Sequence, residues 1–333
     1  MEPGDNTPTA VAVDNDFETD SAYAESFNSY TTSLASSALD YRYELGRRYH
    51  AYRSGRHFLP NDEQEQDRMD LTHSEMMLLL DNNLYFAPIK NPQRVLDLGT
   101  GTGIWAIDFA DIHPESQVIG NDLSPIQPGH VPPNVEFVVD DIEDEWGYED
   151  TPFDFIHARY LAGSIRDWPR LMKQAFACTK PGGWVEFDDW DCMVSSPDGS
   201  IPEDSPFSYW HKVVLGRIEK TNTGRPGPHL GDWIRDAGFV NVVVKRFLIP
   251  HNIWPKDARL KRIGAMNLLQ WEQGLEGITI GCLSRSASDE PAWSIDEIQV
   301  LVGKARADSK NRKYHGQYDF YVAYGQKPGG AST

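Results

Sequence analysis

Three glycines at alternate positions, in the run Arg94-Val95-Leu96-Asp97-Leu98-Gly99-Thr100-Gly101-Thr102-Gly103-Ile104-Trp105, constrain this chain more than any other feature. An apolar stretch that reads as a buried strand passes through them directly into a helical pattern. Glycine permits the sharp turn and lets the backbone approach a ligand where a β-carbon would collide. The arrangement marks a site for a nucleotide-type cofactor. A dinucleotide loop spaces its glycines G-x-G-x-x-G, whereas here the third glycine comes one residue early and Ile104 follows it. A P-loop requires Gly-Lys-Ser/Thr after four spacer residues, and that is absent.

The segments that follow alternate between strand and helix. Gln117–Asn121 reads as a second strand closed by Asp122, nineteen residues beyond Gly103. That is close to the roughly 20-residue offset at which a strand-end acid bonds a ribose, so Asp122 is the expected ribose ligand. Val135–Val139 is a third strand, ending in Asp140-Asp141-Ile142, and Phe153–His157 a fourth. A helical stretch from Asp167 to Thr179 is expected to stop at Pro181-Gly182-Gly183, which opens a fifth strand, Trp184–Asp188. Residues 206–237 read as helical apart from a turn at 223–228. Val240–Leu248 and Asp319–Gly325 read as the last strands, with a long helical insertion over about 255–310 between them. The order predicts an α/β fold built on a doubly wound, mostly parallel sheet. An insertion beside the carboxyl ends of strands suits a substrate lid.

With 333 residues, 40% of them hydrophobic, the chain has enough apolar material for one large domain or two small ones. A net charge of −19 opposes tight, sequence-independent binding to nucleic acid, which relies on many Lys and Arg contacts to phosphate. Seven acids and no Lys or Arg fall within the first 30 residues. Residues 1–35 therefore read as a disordered acidic tail, a possible arm for protein partners. No apolar run approaches the roughly 20 residues that cross a bilayer, and the acidic opening does not read as a secretory leader. Cys178, Cys192 and Cys282 are scattered and lack metal-ligand spacing, which suits a reducing, cytoplasmic setting without a bound metal.

Ahead of the glycine loop, residues 36–92 are expected to form a helical cap, with the main domain over 93–327 and a flexible tail over 328–333. In the first predicted helix, Leu39–Tyr52, residues Tyr41, Leu45, Tyr49 and Tyr52 share a face, and Arg47, Arg48 and Arg53 are interleaved. A second begins near Asn61, with Asp62, Glu63 and Glu65 at its positive end and a stripe of Met69, His73, Met76 and Leu80. In that stripe His73 reads as a packed or hydrogen-bonded histidine rather than a base.

The segment D-L-G-x-G-x-G resembles the first motif of the class I, Rossmann-like S-adenosylmethionine-dependent methyltransferases. More specific blocks are Gly46-Arg47-Arg48-Tyr49-His50-Ala51-Tyr52-Arg53, Leu59-Pro60-Asn61-Asp62-Glu63, Gly99 through Asp108, and Ala158-Arg159-Tyr160-Leu161-Ala162-Gly163-Ser164. In order and wording these are similar to the LaeA-like methyltransferases of filamentous fungi, over roughly residues 36–327. The resemblance implies a seven-stranded sheet and S-adenosyl-L-methionine as cofactor. Its amino-acid part would lie near Asp97, Gly99, Gly101 and Gly103, its ribose at Asp122 with Leu123 alongside, and its adenine at Asp141 and Ile142. Arg159 would face the methyl-transfer side. Tyr49 and Arg53 are expected to close over the cofactor from the N-terminal helix, since an aromatic face attracts a sulfonium by roughly 0.5–2 kcal/mol.

Methyl transfer from a sulfonium asks the protein to orient, to exclude water and, for some acceptors, to remove a proton. His157, His211 and His251 are the weak candidates for a base, each of them more commonly structural. Trp168, Trp190, Tyr209, Trp210, Trp254 and Trp271 are numerous around the acceptor side; core packing explains most of them, and some suit a flat apolar pocket for an aromatic or polyketide-like small molecule. Three functions fit. The first is methylation of an oxygen or nitrogen of a small secondary metabolite. The second is a regulator of secondary metabolism acting through protein partners, in the nucleus. The third is a rearrangement in which the cofactor is not consumed.

Overall fold

Strands that are apolar on both faces need cover on both sides, and the central strands here are of that kind. The structure, a computed structural model, describes residues 41–287 and 290–329. The acidic tail expected over 1–35 and most of the tail expected over 328–333 lie outside the described residues. A hairpin of β1 (Arg42–Glu44) and β2 (Arg47–Tyr49) leads to helix α1 (Glu63–Leu79). There follow β3 (Arg94–Leu98), α2 (Ile104–Ile112), β4 (Gln117–Asp122), β5 (Val135–Val139), β6 (Phe153–Arg159), α3 (Trp168–Cys178) and β7 (Thr179–Ser195). The remaining elements are α4 (Pro206–Ile218), α5 (Leu230–Asp236), β8 (Val240–Pro250), α6 (Ala258–Leu283), α7 (Ile295–Ser309) and β9 (Gln317–Gln326).

Seven strands form one sheet in the order β5-β4-β3-β6-β7-β9-β8, as the resemblance implied. The strands β5 to β7 pair in parallel, and β9 runs antiparallel to both β7 and β8. The order reverses at β3, which has β4 on one side and β6 on the other. A crevice opens outside the carboxyl ends of strands at such a switch point, because the connections leave in opposite directions. The register there sets Asp97 opposite Gly120 on β4 and His157 on β6, and Arg159 opposite Asp188 on β7. Polar groups are thereby gathered at one end of an apolar sheet. Phe153, Phe155, Phe187 and Trp168 are buried in the layers around it, each stabilising the fold by about 1.5–3 kcal/mol.

Two sequence expectations are corrected. The helix expected over Leu39–Tyr52 is instead the β1–β2 hairpin, with Arg42 opposite Tyr49 and Glu44 opposite Arg47. Its turn holds Leu45 at φ 52° and Gly46 at φ 79°, the paired positive angles of a two-residue hairpin turn that a helix cannot contain. The hairpin docks on the start of α1, where Arg47 donates to both carboxylate oxygens of Asp62 at 2.5 and 2.8 Å. Asp62 also caps that helix by accepting from the Glu65 amide. In addition, Pro181-Gly182-Gly183 does not separate helix from strand. The strand β7 starts at Thr179 and absorbs these residues, with Gly182 at φ 82° and its amide bonded to Lys327 O at 2.9 Å.

Among the described residues, no helix is long and apolar enough to cross a membrane, and no cluster of three His, Cys, Asp or Glu suits a metal ion.

Candidate active site

The turn from β3 into α2 carries Gly99, Gly101 and Gly103 at φ 64°, 58° and 82°, angles that a side chain disfavours. A β-carbon on Gly99 would stand 2.7 Å from Leu161 Cδ2, and one on Gly101 would stand 3.3 Å from the Met69 sulfur. These two glycines line a cavity of about 280 Å³ above the switch point. Gly103, expected beside the cofactor, is not among its lining residues. Its β-carbon would lie 2.3 Å from the Phe137 ring, so this glycine lets the start of α2 close on β5.

The carboxylates around the cavity are held by the chain itself. Asp122 accepts from the Gly101 amide at 3.0 Å and the Ser124 amide at 2.8 Å. Burial nevertheless pushes its pKa up to about 6, against those two backbone donors. Asp97 accepts from Thr100 Oγ1 at 2.6 Å and meets His157 Nδ1 at 2.7 Å. Trp105 stacks on the His157 ring with centroids 3.7 Å apart. Asp141 accepts from the Glu143 amide at 3.0 Å through Oδ1, while its buried Oδ2 has no hydrogen-bond partner. Arg159 donates to Asp188 at 2.9 and 3.1 Å and to Leu84 O at 3.0 Å, which leaves its Nη1 buried and unpartnered. Asp97, Gly99, Gly101, Asp122, Leu123, Asp141, Ile142 and Arg159 thus line one cavity.

Tyr49 and Arg53 are not brought there. Tyr49 is buried at the end of β2, and Arg53 is an exposed side chain paired with Asp144. The N-terminal segment instead supplies Arg56, His57, Leu59, Arg68, Met69, Thr72 and His73. Arg56 lies 3.4 Å from Asp141 Oδ2, and His73 Nε2 lies 3.0 Å from Asp108. Nothing in the sequence marks Arg56, which sits in an irregular segment. The helical stripe did hold a signal, because it divides: Met69 and His73 line the cavity, while Met76 and Leu80 enter the core.

A second cavity of about 180 Å³ adjoins the first. Leu59, Arg68, Thr72, Tyr160 and Ala162 line both. Of the six aromatics singled out in the sequence, Trp190, Trp210 and Trp271 line this second cavity, joined by Phe58, Tyr160 and Tyr318. The other three are elsewhere: Trp168 stacks on Trp233 in the core, Tyr209 is half exposed, and Trp254 donates to Gly316 O. Helix α6, within the insertion, contributes Asn267, Gln270, Trp271 and Ile278.

The three candidate histidines occupy different surroundings. His211 lines the second cavity, but Nδ1 lies 2.8 Å from Phe207 O and Nε2 2.7 Å from the Tyr318 hydroxyl. The carbonyl can only accept, so Nδ1 carries the proton and Nε2 accepts from Tyr318. Burial lowers this histidine's pKa to about 4. His251 lines neither cavity; it is buried with both nitrogens unpartnered, and its pKa is pushed down to about 3. His157 lines the first cavity, with Nε2 buried 3.9 Å from Asp188.

Comparison with known proteins agrees with this geometry. A methyltransferase-domain family matches residues 47–244. Methyltransferase pytC of Aspergillus terreus is 40% identical over 327 residues, covering 96% of this chain and 97% of that protein. Secondary metabolism regulator LAE1 of Cochliobolus heterostrophus is 33% identical, covering 86% and 94% of the two chains. Protein-methionine methyltransferase laeA of Emericella nidulans is also 33% identical, covering 86% and 76%. The cavity over the glycine loop and these relationships, which extend over most of the chain, lead to one conclusion: the protein is a methyltransferase and belongs to the LaeA-like family.

Proposed function

We propose that the larger cavity binds S-adenosylmethionine and that its methyl group passes to an oxygen or nitrogen of a small molecule in the adjoining aromatic cavity. The observation that carries this reading is the set of five residues common to both cavities, which places a cavity holding Asp97, Asp122, Asp141 and Arg159 directly against one lined chiefly by aromatic side chains. When bound, the cofactor supplies an electrophilic methyl and a thioether leaving group.

The chain's own groups fit that cofactor where they still lack partners. Asp122 uses one lone pair on each oxygen for backbone amides and has capacity left for ribose hydroxyls. Asp141 Oδ2, which accepts no hydrogen bond and has the Arg56 guanidinium 3.4 Å away, suits the adenine amino group, with Ile142 and Leu123 as apolar neighbours. The free Arg159 Nη1 suits the methionine carboxylate. Gly99 and Gly101 let the backbone come close to the amino-acid part, and Asp97 holds Thr100 and His157 in place beneath it. The aromatic walls exclude water and hold a flat acceptor, so the protein acts mainly through orientation.

Thermal unfolding with S-adenosylhomocysteine tests this, with NAD as control. At about 100 times the dissociation constant, binding stabilises by roughly 2.7 kcal/mol, a shift of several degrees. The expected shift occurs with S-adenosylhomocysteine only and shrinks in Asp122→Ala. A shift with neither ligand would instead favour the regulatory reading, in which the chain acts through protein partners and retains its function in Asp122→Ala.

A further inference from the structure

The polar groups of the acceptor cavity are chiefly hydroxyls, amides and one guanidinium. Among the described residues that line it, Arg68 is the one charged side chain, and none is Asp or Glu. Two lining residues carry buried donors without partners, the Tyr160 hydroxyl and the Trp271 indole N–H. An unpaired buried donor is costly, so each calls for an acceptor atom on whatever fills the cavity.

Tyr160 stands on the wall common to both cavities, directly after β6. Its φ of 66° is a left-handed conformation that is costly for a bulky aromatic, and strain of this kind concentrates at functional sites. The charged and titratable groups that act on it are Arg68 and Glu75 from α1, Arg159 from β6 and Asp189 from β7. Glu75 is fully buried with both oxygens unpartnered, and burial raises its pKa well above the usual range. Burial likewise pushes Asp189 up to about 8. Burial thus disfavours the charged form of both carboxyls, while the two guanidiniums favour negative charge beside Tyr160. Arg68 is paired with Glu65 at 2.6 Å and Arg159 with Asp188. On the acceptor side, Cys192, His211 and Tyr318 are all uncharged, because burial raises the thiol and the phenol and lowers the imidazole. Among the described residues that line this cavity, the one histidine has no free nitrogen, since His211 Nε2 is taken by the Tyr318 hydroxyl and Nδ1 faces Phe207 O.

We infer that the acceptor is a flat, oxygen-bearing molecule whose reacting group is an acidic hydroxyl, a phenol or an enol, held as its oxyanion by the Tyr160 hydroxyl beside the Arg68 guanidinium, while a second oxygen meets the Trp271 N–H. This rests on the reading of the second cavity as the acceptor side. The hydroxyl proton goes to solvent as the acceptor binds. A lone pair of the oxyanion then forms the O–CH₃ bond while the S–CH₃ bond breaks, and the electron pair of that bond stays on the thioether sulfur.

A fluorescent hydroxycoumarin tests the inference without turnover, because its phenol and phenolate forms are excited separately. It is titrated into the full chain saturated with S-adenosylhomocysteine, slightly below the pH of its own ionisation. The expected result is a bound phenolate, with the probe's ionisation moved down by about one to two pH units. Tyr160→Phe should weaken binding of the anion by about 10- to 100-fold and return the ionisation towards the free value. Its folding is checked by the unfolding shift with S-adenosylhomocysteine. Trp271→Phe should weaken the probe by about 3- to 10-fold and leave its ionisation in place. A probe that binds as the neutral phenol overturns the oxyanion and leaves the acceptor cavity standing. A phenolate bound equally well by Tyr160→Phe overturns the residue assignment. A probe that does not bind while S-adenosylhomocysteine does overturns the acceptor reading and the inference with it.

Discussion

The two cavities share a wall and are built in different ways. The first is framed by backbone: Asp122 is held by amides of Gly101 and Ser124, Asp141 by that of Glu143, and two glycines adopt angles that open its floor. The second is framed by side chains, chiefly Phe58, Tyr160, Trp190, Trp210, Trp271 and Tyr318, each from a different segment. A backbone frame fixes where a constant ligand sits, whereas a side-chain frame changes its shape with single substitutions. The difference suits a common methyl donor and a variable acceptor.

The largest effect expected is at Gly103, which serves packing rather than the ligand. Gly103→Ala forces a β-carbon into the Phe137 ring at a positive φ, and should cost about 2–4 kcal/mol from the backbone and overpacking together. Chemical denaturation measures it, and a change under about 1 kcal/mol would return Gly103 to the ligand side.

Asp122→Ala separates the two frames. It removes charged hydrogen bonds worth about 1.5–3 kcal/mol each, so affinity for S-adenosylhomocysteine should fall by about 10- to 100-fold. The hydroxycoumarin of the acceptor side should change by less than about twofold. Equal losses for both ligands in calorimetric titrations would break the division.

A pH series sharpens the same point. The Asp122 pKa is raised from 3.8 to about 6, so its stability contribution is full below 3.8 and is lost as pH rises through about 6. Ribose hydroxyls need the ionised form. Affinity for S-adenosylhomocysteine should therefore weaken as pH drops below about 6, by up to about tenfold per unit, and Asp122→Asn should remove this dependence. An identical slope in Asp122→Asn would place the titrating group elsewhere.

The smallest effect is expected at His251, which packs behind the acceptor cavity against Phe207, with ring centroids 4.6 Å apart. Its pKa falls from 6.5 to about 3, so the stability it allows is full above 6.5 and is lost as pH falls towards 3. His251→Phe should stay within about 1 kcal/mol of the natural chain at pH 7. It should also lose less stability in acid, by up to about 1.4 kcal/mol per pH unit. Unfolding midpoints across pH read this directly, and unchanged acid sensitivity would show that His251 does not contribute.

The two frames also differ in how legible they are in the amino-acid sequence. The donor frame follows the chain order: Asp97 to Gly101, Asp122 and Asp141-Ile142 lie at consecutive strand ends, where offset and glycine spacing are visible. The acceptor frame spans Phe58 to Tyr318, and which tryptophans converge depends on packing; only three of the six singled out do. Tyr49 and Arg53 do not line the cavity, and the helix expected to carry them is a hairpin, a change made by Leu45-Gly46 at positive φ and missed by counting tyrosines at helical spacing. Tyr160 lay within a family-like block, but its strain and its unpartnered hydroxyl exist only in three dimensions.

The most direct measurement is a crystal structure of the full chain with S-adenosylhomocysteine and the hydroxycoumarin together. The account predicts the ribose on Asp122, the adenine amino group on Asp141 and the probe's hydroxyl oxygen at Tyr160 across the shared wall. A ribose away from Asp122, or a probe bound outside the cavity of Trp190, Trp210 and Trp271, would contradict it.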